Sequence, residues 1–305
     1  MITKTSFNNH KYNWININLE DASELENFYE EYGIDNEVVA YSLDRNERAH
    51  LDYDPTTNTF VLIFNLPNQE KIDNHYETIP MTFIIKDMQL ITVTNTKNQY
   101  VVQKIKHYLT KNESTTIFKF LFGCLFTITD LFFPYIEEMN FDRRKINDKL
   151  KEKTTKQNLL SLSDLETGIV YFVSASKQNL VLLEQVKTHI IYRTLNTNEK
   201  EQYEDALIEA RQLVEMTQLS SQILQQLSGT YNNILNNNLN DTMKILTVLS
   251  ILLTVPTIIT GFFGMNMPLP LEHNALGWII AIFISAILWF GLSAILRKIL
   301  NYRYL

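Results

Sequence analysis

The C-terminal part of the chain contains two stretches without a single charged side chain, residues 245–263 (ILTVLSILLTVPTIITGFF) and residues 276–296 (LGWIIAIFISAILWFGLSAIL). A helix needs about 20 apolar residues to cross ~30 Å of hydrocarbon, so each stretch is long enough to span. Two in tandem, with Trp278 and Trp289 in the second, read as a transmembrane pair rather than as helices of a soluble core.

Flanking charge gives the orientation. Lys244 precedes the first stretch and Arg297, Lys298 and Arg303 follow the second, while the residues between carry only Glu272 and His273. Lys and Arg accumulate on the cytoplasmic side, so both termini are expected there, in a multi-pass protein of the plasma membrane. The first twenty residues hold no apolar run of the signal-peptide kind, and residues 1–243 are expected to stay in the cytosol. A single cysteine, Cys124, fits a reducing compartment and leaves no internal disulfide or multi-thiolate metal site. The six histidines are dispersed without a ligand pair at helical spacing, and no Gly-x-x-x-x-Gly-Lys stretch is present, so neither a hydrolytic zinc site nor a nucleotide loop supports an enzyme reading. Residues 1–243 carry 23 Lys/Arg against 33 Asp/Glu, and the remainder four against one. That acidity serves solubility, or offers carboxylates to intracellular divalent cations; it gives no reason to expect a nucleic-acid partner.

The first span is not uniformly apolar. Thr247, Ser250, Thr254, Thr257 and Gly261 recur at spacings of three and four and share one stripe of a helix. Three readings fit: hydroxyls bonding back to their own helix, small residues easing helix packing, or rings of hydroxyls from several chains around an axis. One chain with two spans encloses no pore, so the third requires an oligomer, with the first span inside and the bulkier second span outside. Pro256 should kink the helix, with Thr257 beside it to reclaim the freed carbonyl. The glycines at 261 and 264 should end it, leaving Asn266 at the outer mouth.

Gly264-Met265-Asn266 at the end of the penultimate span, Phe263 before it, the Pro256-to-Gly261 run and a second span ending in basic residues together resemble the CorA family of magnesium and divalent metal ion transporters. Residues 81–95 and 130–138 are similar to a strand pair and an early helix of that family's cytosolic domain. The resemblance implies a funnel-shaped homopentamer in a lipid bilayer, an α/β cytosolic domain, a long helix continuing into the pore, and potential-driven divalent cation influx. Mg²⁺ is then both the transported ion and the regulatory ligand that holds the pore shut. Gly264, Met265 and Asn266 correspond to the ion-entry signature. Asn240, Met243, Leu246, Ser250, Thr254, Thr257 and Gly261 correspond to pore-lining positions. Two departures stand out: Phe263 replaces a common tyrosine, and the loop reads Met267-Pro-Leu-Pro-Leu-Glu272, which shifts its only acid.

The expected organisation is an α/β subdomain over residues 1–112, a helical subdomain over 113–198, a stalk-and-pore helix over 199–263, an external loop over 264–275, a second span over 276–296 and a basic tail over 297–305. Strands are expected over 14–19, 49–53, 59–65, 81–86 and 90–94, with helices over 23–32 and 100–111. Residues 115–196 read as two long antiparallel helices, broken where Ser163-x-x-Glu166 has the form of a capping box. If continuous, residues 199–263 extend ~97 Å at ~1.5 Å per residue. Leu213, Met216, Ser220, Ile223, Leu227, Thr230 and Ile234 form a seam that suits a bundle around an axis, or packing on the chain's own helices. Six asparagines among residues 232–240 form either a solvated neck or a cytosolic pore mouth, and Arg297, Lys298 and Arg303 a basic collar. Zinc, cobalt or nickel transport on the same fold stays open, as does a membrane-anchored metal sensor or scaffold that conducts nothing. The acids at 52, 54, 77, 87, 199, 201, 204, 205 and 209 single out no regulatory pair.

Overall fold

The computed structural model describes residues 2–18, 32–44, 46–265 and 276–301. The chain falls into two compact units, Met1–Gly229 and Thr230–Leu305. The first is built on a six-stranded sheet: β1 (Ile2–Phe7), β2 (Tyr12–Asn18), β3 (His50–Asp54), β4 (Thr59–Pro67), β5 (Thr78–Lys86) and β6 (Gln89–Thr94), in the order β1-β2-β6-β5-β4-β3. β2 and β6 pair in parallel and every other neighbouring pair is antiparallel.

Side-chain alternation gives the sheet two apolar faces. Trp14, Phe60, Leu62, Phe83 and Leu90 point to one, which is covered by α2 (Gln99–Lys111), α3 (Ile117–Asp130), the end of α5 (Lys156–Thr188) and the start of α7 (Thr197–Phe263). Ile15, Ile17, Ile84, Ile91 and Val93 point to the other, against Ile34 and Val38 at α1 (Asn36–Leu43). The five expected strands correspond to β2–β6. β1 was not expected: its residues are mainly exposed and polar, and only Phe7 is buried, so pairing with β2 rather than patterning holds it. The helix expected over residues 23–32 lies almost wholly outside the described residues.

The expected pair of long helices between residues 115 and 196 is instead four helices: α3, α4 (Phe132–Glu152), α5 and α6 (Ile190–Thr194). Pro134 has no N–H for the carbonyl of Asp130 and its ring crowds that carbonyl, which separates α3 from α4 at Leu131. Nor does a capping box open a helix at Ser163. α5 begins at Lys156, where the Thr155 hydroxyl accepts the Asn158 N–H at 3.2 Å, and runs on through residue 163. The reciprocal box lies at the start of α7: the Asn196 side chain accepts the Glu199 N–H at 3.0 Å, and the Glu199 carboxylate accepts the Asn196 N–H at 2.8 Å. Thr116 donates to the same carboxylate at 2.6 Å, tying α7 to the start of α3.

α7 is one 67-residue helix that passes uninterrupted through Pro256. Its seam changes character along its length. Leu213 and Ser220 are buried inside the first unit, where Thr217 bonds Ser176 of α5 at 3.1 Å and Asn140 of α4 donates to Ser220 at 3.3 Å. Thr230 and Ile234 are exposed. The N-terminal half of the seam therefore packs on the chain's own helices. The second unit comprises the rest of α7 and α8 (Gly277–Asn301).

Candidate ion pathway

Among the described residues three helical stretches are long and apolar enough to cross a membrane, and burial separates them. In Ile117–Glu152, shared by α3 and α4, 56% of the apolar window is buried within the chain, against 6% in α7 and none in α8. The apolarity of α3 is spent on the sheet, whereas that of α7 and α8 faces outward.

Along the apolar stripe of α7 the hydroxyls follow one rule. Thr247 donates to the carbonyl of Met243 at 2.8 Å, Ser250 to Leu246 at 2.9 Å, Thr254 to Ser250 at 2.8 Å and Thr257 to Leu253 at 2.9 Å. Each thus gives its single hydrogen to the preceding turn and leaves its oxygen able to accept. Thr257 does not reclaim the carbonyl freed by Pro256, which is that of Leu252: its hydroxyl reaches its own preceding turn, at Leu253. The helix ends at Phe263, where Gly264 N–H still bonds Thr260.

Asn240, Met243, Leu246, Ser250, Thr254, Thr257 and Gly261 are all exposed in the single chain. At 3.6 residues per turn they fall within roughly 120° of the helix circumference. α8 lies on the other side. Val255, Ile258 and Ile259 share a groove of ≈ 540 Å³ with Leu288 and Leu292, and Pro256, Thr260 and Phe263 share one of ≈ 630 Å³ with Trp278 and Trp289. The two faces are centred roughly 180° apart. Gly277, Ala281 and Ser285 recur every fourth residue on α8, and the latter two line the larger groove, which gives α8 a small-residue face toward α7. That face was missed from the sequence, although its four-residue period was visible there.

The remaining candidates are dispersed. Gly264 and Met265 close the helix, while Asn266 and Arg303 lie outside the described residues. Arg297 and Lys298 are exposed near the end of α8, and Lys244 is paired with Asp241 at 2.9 Å. Among the described residues no group of three or more His, Cys, Asp or Glu side chains is placed to hold a metal ion. Several of the scattered acids are already engaged. Glu204 meets Lys187 at 2.8 Å, Glu77 meets His75 at 3.4 Å, and hydroxyl bonds from Thr56 and Thr57 lower Asp54 to a pKa of about 2. Glu209 stands apart: burial, and then repulsion from Asp130, raise its carboxyl above the ordinary range.

An α/β unit whose long helix enters an outward-facing apolar helix pair defines an integral membrane protein, with polar oxygens along one face of an apolar helix. A family model described as CorA-like Mg2+ transporter protein matches residues 9–298, and the chain belongs to that family of divalent cation transporters. The cobalt/magnesium transport protein CorA of Methanocaldococcus jannaschii is 24% identical over 286 residues, 92% of this chain and 88% of that one. The complete structure of the CorA magnesium transporter from the same organism aligns with a TM-score of 0.80 at 23% identity, over 96% of this chain and 92% of that one. The full-length CmaX protein aligns with a TM-score of 0.71 at 11% identity, over 94% of this chain and 88% of that one. At these identities the structures define the fold.

Proposed function

We propose that this chain is a magnesium channel: a homopentamer in the plasma membrane, with both termini cytoplasmic, α7 and α8 its two spans, and α7 lining the path. The observation that carries the reading is the hydroxyl face of α7, set opposite the face that meets α8. Hydrated Mg²⁺ gives up water reluctantly, and its outward-pointing water hydrogens need acceptors rather than donors. Hydroxyls whose hydrogens are committed to the backbone supply such acceptors. Asn266 extends the series with amide oxygens at the outer mouth, under the ion-entry role of Gly264-Met265-Asn266. Neutral ligands hold a divalent ion weakly enough for it to leave. The membrane potential drives entry, since a divalent ion gains ~4.6 kcal/mol per 100 mV of inside-negative potential.

On the cytosolic side, Asn240 marks the pore mouth, Arg297, Lys298 and Arg303 form a basic collar, and intracellular Mg²⁺ acts as the gating ligand. Cobalt is the second cargo, because the curated relative is a cobalt/magnesium transport protein. The test is flux into liposomes loaded with a Mg²⁺-sensitive dye at an inside-negative potential, for the native protein and Asn266→Ala. Potential-dependent entry that Asn266→Ala abolishes with the oligomer intact supports the reading. No entry of Mg²⁺ or Co²⁺ from correctly inserted protein refutes it in favour of a non-conducting sensor.

A further inference from the structure

The connection between α4 and α5 concentrates positive charge in an otherwise acidic unit. Residues 143–156 hold seven Lys/Arg against two acids, whereas residues 1–243 as a whole hold 23 against 33. Arg144, Lys145, Lys149, Lys151, Lys153 and Lys156 are all exposed. Among the described residues only Lys151 of these six has an ion-pair partner, Asp148 at 3.3 Å. Like charges this close repel, so the turn gains from an external anionic surface. Apolar side chains accompany the charge: Phe141 is 49% exposed with the Lys145 ammonium 4.2 Å from its ring, and Leu160 is 47% exposed beyond the turn. Exposed aromatic and aliphatic groups among lysines are the composition of segments that lie on anionic membrane surfaces.

The hairpin's orientation within its own unit follows from its bonds to α7. Ser176 of α5 meets Thr217, and Glu166, ten residues nearer the turn, accepts a hydrogen bond from Ser228. Contacts closer to the turn thus fall closer to Gly229, the last residue of the first unit. We propose that this basic turn binds the anionic headgroups of the bilayer that α7 and α8 enter. The same hairpin is bonded to α7, so headgroup charge acts on the helix that carries the hydroxyl face. The proposal rests on membrane insertion and is independent of conduction.

The test uses the full chain in nanodiscs of phosphatidylcholine alone, or with about one third phosphatidylglycerol. Lysine acylation rates are read peptide by peptide by mass spectrometry. Acylation of Lys149, Lys153 and Lys156 should be at least ~threefold slower in the anionic discs, and the difference should vanish in about 1 M salt, where the screening length is ~3 Å. Lys104 and Lys106 on α2, also exposed, should react alike in both. In K149Q/K153Q/K156Q the lipid dependence still readable at Lys145 and Lys151 should be lost. Equal rates at the turn in both lipids overturn the proposal; if those rates are equally slow, the turn is covered by protein instead. Retention of full lipid dependence in the triple variant overturns it as well.

Discussion

A hydroxyl has one hydrogen to give, and in the apolar part of α7 each threonine and serine of the exposed face gives it to the carbonyl four residues back. Removing the oxygen while keeping the shape isolates its role. Thr254→Val should lower Mg²⁺ flux by about tenfold, equivalent to ~1.4 kcal/mol, while Thr254→Ser should stay near the native rate, as read in dye-loaded liposomes. In the first unit, Asn179 of α5 works as a surrogate peptide group. Its Oδ1 accepts the Asn65 N–H at 2.9 Å and its Nδ2 donates to the Asn65 carbonyl at 2.8 Å, where β4 is paired to Pro80 and β3 has already ended. Asn179→Ala should cost about 1–3 kcal/mol for each orphaned backbone group, visible as a lower denaturant midpoint followed by tryptophan fluorescence. Glu209 makes a prediction in pH. Its folded pKa is raised, so its charged form disfavours the folded state; the associated stability is present below the ordinary glutamate range and lost as pH rises through the raised value. The melting temperature of Glu209→Gln should match the native protein in acid and exceed it increasingly toward neutral pH.

Helices and strands differ in how openly the sequence declares them. β4, β5 and β6 are nearly continuous apolar runs and become the centre of the sheet, so residues 59–65, 81–86 and 90–94 were legible. β1 was not, because an exposed edge strand needs no apolar alternation. The capping box was legible as a motif and misplaced as a site: Ser-x-x-Glu also occurs inside α5, where Leu159, Leu162, Leu165 and Ile169 carry the helical period straight through it. The seam of α7 was ambiguous because self-packing and packing around an axis demand the same three-four spacing. The burial of Leu213 and Ser220 and the contact of Ser220 to Asn140 show its N-terminal half turned inward. Close approach of elements was invisible as well. A methyl group on Gly123 of α3 would lie 2.1 Å from the Tyr108 ring of α2, so Gly123→Ala should destabilise the first unit by about 1–3 kcal/mol in the same denaturant assay.

For the molecule as a whole, family membership was readable from the sequence, through the apolar C-terminal pair and Gly264-Met265-Asn266, and the family model matches residues 9–298. The opposition of the stripe to α8 was not readable, because it depends on which side of α7 the following helix returns along. A single α7 cannot enclose an ion path, so the proposed channel requires an assembly: mass measurement in native nanodiscs should give five copies, and a monomer would refute the proposed pore. In the proposed channel one face of α7 borders a water-filled path while the opposite face is closed by α8. Cysteine accessibility tests it directly. Cys124, the protein's one thiol, is fully buried and its pKa is raised by burial, so the native background is silent. Single cysteines at Ser250, Thr254 and Thr257 should react with a charged, water-borne thiol reagent and lose Mg²⁺ flux on modification, whereas cysteines at Val255 and Ile259 should be inert. Equal reactivity on both faces, or modification at Thr254 that leaves flux unchanged, would refute such a path.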